Sequence, residues 1–535
     1  MEAAATAGRV PAPLPAVVYE REPGAASRPL PPGYRRREPE ATVLHAVVRE
    51  HLESFLAEAR AHSESGAGYP AFVEHELRRF LDCGQLSRGF SRLRCPQCGA
   101  ERLVVFSCKS RSCPVCWARR MADTAAHLVD RILPAIPYRQ WVLTFPWPLR
   151  LPLALDRTLL SACLRTFLRT LFAFQRRRGR DLGIPDGQTG AVSFVQRFGG
   201  ALNLNPHVHS VVPDGLFVPH DGDGPLTFVP LPPPTDEEVL GLTARLAQRL
   251  TARFERHRAL TDDLPPPGDD EEAHLHAALA QAQWVPRDGA SEALAADDEA
   301  FRKPRCARAD GFTLHAARAV AADDREGLEQ LCRYGLRAPF AQGRCSRDPD
   351  GGVRYRLPKP WPNPQGRSEL RFEPLAFLRR LAALIPAPYL NLTRYHGCFA
   401  NRSRCRPRLP PPPGPGIPAE PPPLPATEPA PQDEPPPLRP RHLLWAQLLK
   451  RVLNVDALTC LRCQVPMVVL AFLTDPAVIK KILTHLRLPT EPLPLRPARI
   501  VEQEDLFANL GGEDVNQDPG DHELDRRPSS ARGPP

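Results

Sequence analysis

The sequence predicts an α+β protein, in which an N-terminal cysteine-rich zinc ribbon with helices precedes a mixed α/β domain built on a central antiparallel sheet. Three observations lead to this fold class. Two Cys-x-x-Cys pairs lie close together near the N-terminus. Helix-spaced and strand-like apolar patterns alternate through the middle of the chain. Half of residues 407–440 are proline, which predicts a Pro-rich linker ahead of a small C-terminal helical segment.

Composition shifts divide the 535 residues into several parts. The ends are rich in proline, alanine and charge, which is typical of disordered tails. Residues 232–300 are helical in pattern but acidic and interrupted by prolines, so we expect an insertion outside the core. The predicted parts are a tail over 1–40, a cysteine-rich domain over 41–135, a mixed α/β domain over 136–406 containing that insertion, the linker over 407–440, the helical segment over 441–496 and a tail over 497–535.

The net charge of +9 and the pI near 9.0 favour a polyanionic partner such as DNA. The sequence contains no uncharged apolar run of about 18 residues, so we expect no membrane span. The N-terminus lacks the basic and then apolar order of a secretory signal, which predicts a cytoplasmic protein. In that compartment the 14 cysteines stay reduced, and clustered cysteines are better explained as metal ligands than as disulfides.

Apolar periodicity predicts the elements in order. Helical spacing covers 41–62 and 72–82, and a third helix stops near Pro134. The run 141–145 reads as a strand, and a long helix is predicted over 155–178. The runs 190–197 and 206–212 form the two strands of a hairpin. A further helix, capped by Asp324, is expected to end just before Pro339.

Paired Cys-x-x-Cys knuckles predict a structural zinc site. Cys95 and Cys98 form the first knuckle, and Cys113 and Cys116 form the second, with 14 residues between the two knuckles. Two such knuckles complete the tetrahedral coordination of Zn²⁺. We therefore expect these four thiolates to hold one Zn²⁺ ion.

Other cysteines leave two alternatives open. Cys83 and Cys108 either belong to a second zinc site or are small buried apolar residues. Cys460 and Cys463 have the knuckle spacing but no second pair nearby in the sequence, so we do not expect them to bind zinc.

A His-Val-His motif is the candidate catalytic feature. His207 and His209 flank Val208 in an apolar run. Successive side chains of a strand point to opposite faces, so both imidazoles lie on one face while Val208 faces the core. Two imidazoles supply half of a divalent-metal site.

Several segments, together with the cysteine ribbon, strongly resemble the rolling-circle transposases of the insertion sequence 91 family. The segments that carry this resemblance are 195–209, Asp214-Gly215, 331–334 with Arg337 and Pro339, 394–397 and 445–452. The resemblance covers about residues 45–490. It implies a zinc-binding DNA-binding domain over 41–135 and a His-hydrophobe-His (HUH) nuclease/transposase domain over 136–406. It also implies a tyrosine nucleophile acting on single-stranded DNA.

Tyr334 is the nucleophile that the resemblance implies, with Tyr395 as the alternative. Many members of the family carry two tyrosines four residues apart, but Gln330 and Ala338 occupy those positions around Tyr334. The chain therefore resembles the single-tyrosine branch, which is associated with common-region elements. The resemblance implies metal-dependent nicking and strand transfer through a 5′-phosphotyrosine, with single-stranded DNA at the element ends as the partner. Self-association is left open.

The histidines are expected to hold Mg²⁺ or Mn²⁺ as a Lewis acid. A third ligand is needed, and Gln196, Gln330 and Asp214 are the candidates, with Gln196 preferred. Two other functions compete with the transposase. One is a replication initiator or relaxase that uses the same chemistry, and the other is an inactive zinc-ribbon DNA-binding relative.

Overall fold

The structure is a computed structural model. It describes residues 20–21, 38–63, 65–219, 224–261, 270–283, 304–358, 360, 368–413, 448, 451 and 458–499. The two tails and most of the proline-rich linker, for which the sequence makes predictions, lie outside these residues.

Ten α-helices and sixteen strands form within the described residues. The helices are α1 (Val43–Ala61), α2 (Ala71–Leu81), α3 (Pro114–Arg131), α4 (Trp147–Leu155), α5 (Arg157–Asp181), α6 (Asp236–Thr261), α7 (Asp270–Gln283), α8 (Arg325–Gly335), α9 (Pro374–Leu384) and α10 (Pro476–His485). The strands are β1 (Glu20–Arg21), β2 (Phe90–Arg94), β3 (Glu101–Val105), β4 (Tyr138–Thr144), β5 (Gly190–Phe198), β6 (Leu204–Pro213), β7 (Gly215–Pro219), β8 (Leu226–Pro230), β9 (Cys306–Ala309), β10 (Phe312–His315), β11 (Ala319–Val320), β12 (Cys345–Arg347), β13 (Val353–Arg356), β14 (Glu369–Phe372), β15 (Thr393–Gly397) and β16 (Val468–Leu473).

A central antiparallel sheet, as the sequence predicts, organises the molecule. Its strands follow the order β15-β5-β6-β4-β10-β9. The short strand β11 also pairs with β4, at the end of β4 that β10 does not cover. The predicted hairpin is confirmed, because β5 and β6 are consecutive antiparallel neighbours. In this register His209 lies opposite Phe194 of β5 and opposite Val142 of β4. The histidine strand therefore has a neighbour on each side.

Each face of the central sheet packs against helices, and each carries a different set of side chains. Val195 and Val208 lie on one face, in an apolar cluster with α5 and α6. Phe194 and Val211 lie on the other face, in a cluster with α3 and α8. Because side chains alternate along β6, the two histidines belong to this second face. The candidate site therefore lies on the side of the sheet covered by α3 and α8.

The acidic segment 232–300 is not an insertion outside the core, as far as the structure describes it. Helix α6 buries Val239, Leu242, Leu246 and Leu250 in the same cluster as α5. These residues recur three and four positions apart, so they form one apolar stripe while the acidic residues lie elsewhere on the helix. The prediction was wrong because it relied on the acidic composition of the segment and not on the helical spacing of these apolar residues.

The prediction that the C-terminal segment is helical is also wrong for most of the residues that the structure describes there. Residues 468–473 form β16, which pairs antiparallel with β2 of the N-terminal ribbon. The apolar run there suits a strand as well as a helix, and periodicity does not separate the two in a short run. Helix α10 then follows and packs Ile479 and Leu483 against Phe90 and Leu103. The two ends of the chain thus share one four-stranded sheet.

Among the described residues, no helix combines the length and the apolar character needed to cross a membrane.

Candidate active site and zinc centres

The structure brings eight cysteines together in two groups of four. The ligand atoms of each group lie within 4.8 Å of one another. Sulfur-to-sulfur distances of 3.4 to 3.7 Å join Cys116 to Cys108 and Cys83, Cys83 to Cys113, and Cys98 to Cys460. Tetrahedral zinc with bonds of about 2.3 Å requires sulfurs about 3.8 Å apart. The groups are Cys83, Cys108, Cys113 and Cys116, and Cys95, Cys98, Cys460 and Cys463.

The predicted quartet of Cys95, Cys98, Cys113 and Cys116 is therefore wrong as a single site. The first knuckle lies in the connection between β2 and β3, whereas the second knuckle lies at the start of α3. The two knuckles therefore belong to different groups. Each group takes its remaining thiols from elsewhere. The open question about Cys83 and Cys108 is answered by their place beside the second knuckle.

The knuckle at Cys460 and Cys463 was also mispredicted. The amide of Cys460 donates to the carbonyl of Val465, and the amide of Gln464 donates to that of Cys460. Cys95, Ala100 and Gly99 make the same pair of hydrogen bonds in the first knuckle. Gln464 adopts a φ of 55°, the left-handed conformation that Gly99 adopts at 74°. Glycine is common in this conformation but not obligatory, so Gln464 can complete the knuckle.

The two histidines lie side by side, as predicted. Their ring centroids are 4.9 Å apart, and both side chains are buried. Nδ1 of His207 lies 2.7 Å from the carbonyl oxygen of Asn205. That carbonyl can only accept, so Nδ1 carries the proton and Nε2 keeps its lone pair. His207 is thus prepared as a metal ligand.

His209 has a different second partner. Its Nδ1 lies 3.1 Å from the side-chain Nε2 of Gln140, and its own buried Nε2 has no hydrogen-bond partner. The nitrogen and oxygen of a carboxamide are interchangeable in shape, and turning the Gln140 amide over brings its oxygen to Nδ1, which places the ring proton there and leaves Nε2 of His209 free for a cation. Gln140 and Thr144 are four residues apart in β4, so both side chains lie on the face of the sheet that carries the histidines. Sequence reasoning nevertheless missed Gln140.

Burial keeps both rings neutral. Desolvation lowers the pKa of His207 to about 4, while its bond to Asn205 opposes the shift. Burial also lowers the pKa of His209, and the neighbouring His207 adds to the effect. Neutral imidazole is the form that binds metal, so the pair fits a divalent cation.

Tyr334 lies beside the histidines although it is more than 120 residues away in the chain. Its ring centroid is 5.5 Å from that of His209, nearly perpendicular to it. The side chain is 50% exposed, so a nucleotide can reach the phenol. The guanidinium of Arg337 lies over the ring, 4.9 Å from its centroid. An arginine in this position can contact the phosphate that the phenol would attack.

Gly335 allows this approach. A Cβ at this position would lie 2.3 Å from the ring of Phe194, far inside contact distance. The end of α8 can therefore rest on β5 only because residue 335 has no side chain.

Gln196 lies opposite His207 in the sheet, but its amide is engaged elsewhere. Its Nε2 donates to the carbonyls of Tyr334 and Gly335 at 2.8 and 2.9 Å. Its Oε1 accepts from Arg337 at 3.1 Å. A cation competing for that oxygen would face the positive charge of Arg337. Gln196 thus fixes the end of α8, and the geometry does not favour the expected role as third ligand.

The other candidate ligands and the alternative tyrosine lie in less suitable places. Asp214 forms a two-bond ion pair with buried Arg139. Gln330 is exposed and donates to Glu326. Tyr395 is partly buried in the cluster of the α3 face, and this burial raises its pKa. Of the two tyrosines, Tyr334 is the one that lies beside the histidines with an exposed side chain.

Helices α3 and α8 cap each other's ends. Trp117 at the start of α3 donates to the carbonyl of Leu336, which follows α8, at 2.8 Å. Arg325 at the start of α8 donates to Leu133 and Pro134, just beyond α3. Arg451 lies between the two helices and pairs with Asp130 and Glu329. Because Cys113 and Cys116 open α3, the first cysteine group is linked directly to the helix that carries Tyr334.

Comparisons with known proteins identify transposases. Residues 190–406 match a family model described as "Putative transposase", and residues 47–145 match the zinc-binding domain model of insertion sequence 91 transposases. Together the two models cover more than half of the chain. The chain belongs to the insertion sequence 91 family of transposases.

One curated relative shares this assignment. The protein named "Putative transposase y4qJ" from Sinorhizobium fredii (strain NBRC 101917 / NGR234) is 24% identical over 320 residues, which is 58% of this chain and 70% of the relative. No solved structure matches the chain. The zinc-binding domain model and the two cysteine groups support Zn²⁺ as a cofactor of this transposase.

The cysteine groups predict the zinc content. The double substitution Cys460→Ser and Cys463→Ser should lower bound zinc from two ions per chain to one, because only the second group loses ligands. Mass spectrometry of the metal in purified full-length protein measures this directly. Cys345→Ser, outside both groups, should keep two ions. One ion in the wild-type protein would contradict the assignment.

Gly335→Ala should destabilise the transposase by about 1–3 kcal/mol, since the new methyl group overpacks against Phe194. The matched control is Gly241→Ala in α6, where a Cβ meets nothing within 4 Å. That change should stabilise by about 0.4–1 kcal/mol. Denaturant unfolding gives both values. An equal, stabilising effect of the two changes would show that α8 does not rest on Phe194.

Proposed function

We propose that this transposase nicks single-stranded DNA at the element ends and transfers the strand, with Tyr334 as the nucleophile. The observation that carries the proposal is the contact between the phenol ring and the buried histidine pair, 5.5 Å from centroid to centroid. An exposed tyrosine beside two neutral imidazoles is an arrangement suited to phosphodiester chemistry.

His207 and His209 are the residues that would hold a divalent cation. The partnerless Nε2 of His209 and the lone pair left on Nε2 of His207 are the donors. When bound, Mg²⁺ or Mn²⁺ supplies Lewis-acid stabilisation of charge on the non-bridging phosphate oxygens. Gln140 and the carbonyl of Asn205 then act as outer partners that orient the two rings.

In the proposed reaction the phenol oxygen of Tyr334 attacks the scissile phosphorus, and the bond from phosphorus to the 3′-oxygen breaks. The phenol proton passes to water, and the leaving 3′-oxygen takes a proton from water. The products are a 5′-phosphotyrosine and a free 3′-hydroxyl. Because the new phosphodiester conserves the bond energy, the 3′-hydroxyl of another strand can reverse the step without a nucleotide cofactor.

Arg337 provides positive charge beside Tyr334 and helps to fix the position of that residue. It lies over the Tyr334 ring and donates to Gln196, which also holds the carbonyls of Tyr334 and Gly335. One guanidinium therefore orients the nucleophile and offers its other N–H groups to the phosphate.

The chain works with one tyrosine in this scheme. Gln330, one helical turn before Tyr334, is exposed and bonded to Glu326, and Ala338 lies beyond the end of α8. Successive cleavages would then require release of the first strand from Tyr334 before the second cleavage. The scheme accordingly matches the single-tyrosine branch of the family.

Tyr334→Phe should abolish the covalent adduct. Wild-type protein incubated with end-labelled single-stranded DNA of the element ends and Mn²⁺ should give a denaturant-resistant complex on a gel. Removing the nucleophile should lower its rate by at least about 10³-fold. Tyr395→Phe removes the hydroxyl of the alternative nucleophile but keeps its ring, and this variant should still form the adduct.

Three outcomes would contradict this assignment. An adduct that survives Tyr334→Phe but is lost in Tyr395→Phe would reassign the nucleophile. An absence of adduct in the wild type, with DNA binding retained, would favour an inactive zinc-ribbon DNA-binding relative. Cleavage at a plasmid replication origin alone would favour a replication initiator.

A further inference from the structure

A polar cleft lies at the free edge of the central sheet, outside the tyrosine and histidine site. Its volume is about 610 Å³. It lies between the first half of α5 and the loop that leads into β15. The residues that line it are Arg157, Thr158, Ser161, Arg165, Tyr389, Leu390, Asn391, Thr393, Arg394, Tyr395 and Asn401.

The charge of the cleft is entirely positive. Arg157, Arg165 and Arg394 line it, and none of its described lining residues is acidic. Burial, together with the charge of Arg165, lowers the pKa of Arg394. Like charges held this close attract an anion, and guanidinium groups match the geometry of phosphate.

One of these arginines is held in a fixed position. Arg394 donates to the hydroxyl of Ser161 at 2.7 Å and to the carbonyl of Asn391 at 3.1 Å. Arg157 and Arg165 are exposed on the same side of α5, two turns apart. The cleft thus combines one guanidinium held by hydrogen bonds with two solvent-exposed guanidinium groups.

An aromatic side chain is presented at the mouth of the cleft. Tyr389 is 88% exposed, more than any other large apolar or aromatic residue in the described chain. Its φ of 61° lies in the left-handed region, which is unfavourable for a residue with a large side chain. Exposed aromatic rings beside a basic groove are the stacking platforms on which proteins bind unpaired bases.

The sheet register places the β15 wall of this cleft two strands from the histidine strand. The α5 residues of the cleft lie on the face of the sheet opposite to the histidines, so a DNA strand joining the two would pass around the edge at β15. Thr393, which lines it, lies opposite Phe194 of β5, and Phe194 lies opposite His209 of β6. Two strand spacings separate Thr393 from His209, about 10 Å. This distance is on the order of two to three nucleotides of a DNA strand.

We propose that this cleft binds the single-stranded DNA next to the nicked phosphate, with its arginines on the backbone and Tyr389 stacked on a base. The inference rests on the proposed nicking function and assigns its substrate contacts. The ligand is unpaired because a duplex does not expose a base face to Tyr389. Residues 394–397 are among the segments that carry the family resemblance, and in this proposal Arg394 and Tyr395 form one wall of the groove.

Fluorescence anisotropy of full-length protein tests the proposal. The probe is a labelled 20-nucleotide single strand, and every protein carries Tyr334→Phe so that cleavage does not interfere. Tyr389→Ala should weaken binding about 5- to 150-fold, the effect of one lost stacking contact, whereas Tyr389→Phe should bind normally. The double variant Arg157→Gln and Arg165→Gln should lower the slope of log K against log salt by about 0.7 per lost phosphate contact.

The matched control removes the same charge from the same helix. Arg169 and Arg180 are exposed on α5 but do not line the cleft. The double variant Arg169→Gln and Arg180→Gln should bind single strands like the parent. Equal weakening by this control, equal loss of duplex binding, or unchanged binding in the cleft variants would overturn the proposal.

The outcome is separable from that of the nicking function. If wild-type protein forms no adduct but the cleft variants lose single-strand affinity, the nicking proposal fails while the binding groove stands. If Tyr334 forms the adduct and the cleft variants bind like the parent, the groove assignment fails instead. Zinc content of two ions per chain in each variant confirms that it is folded.

Discussion

The register of the three central strands is the constraint on which the candidate site depends. β6 is paired on both sides, with His209 opposite Phe194 and Val142. A slip of one residue would move both histidines to the α5 face, away from Tyr334. The same register sets Gln196 opposite His207, where it holds the end of α8. One pattern of backbone hydrogen bonds therefore fixes the histidines and the glutamine that positions Tyr334.

The cysteine groups extend this arrangement to the rest of the molecule. One group lies at the start of α3, whose Trp117 bonds to the end of α8. The other joins the N-terminal ribbon to Cys460 and Cys463, and β16 adds a strand to the same sheet. Metal binding is folding free energy in such sites. One cysteine group is thus connected to the candidate site through packing, and the other joins Cys460 and Cys463 to the N-terminal ribbon.

The sequence predicted local features well and long-range partners poorly. Strand alternation placed His207 and His209 on one face, and the helix of Tyr334 begins at Asp324 as its cap indicated. The pairing of Cys95 and Cys98 with Cys460 and Cys463 was missed, because knuckles more than 360 residues apart meet only through the fold. The role of Gln196 was likewise misjudged: strand register placed it beside His207, but its partners on α8 could not be foreseen. Helix α6 was expected to lie outside the core because its segment is acidic, although the spacing of its apolar residues in the sequence indicates a buried face.

Proximity of the metal ligands to the phenol is the central claim, and it can be measured without DNA. Site-specific incorporation of 3-fluorotyrosine at position 334 gives a single fluorine signal. Titration with paramagnetic Mn²⁺ should broaden that signal strongly in the zinc-loaded protein, since the Tyr334 ring contacts His209. The broadening should disappear when His207 and His209 are both replaced by alanine. A signal that stays sharp while Mn²⁺ binds to the histidines would contradict the shared site.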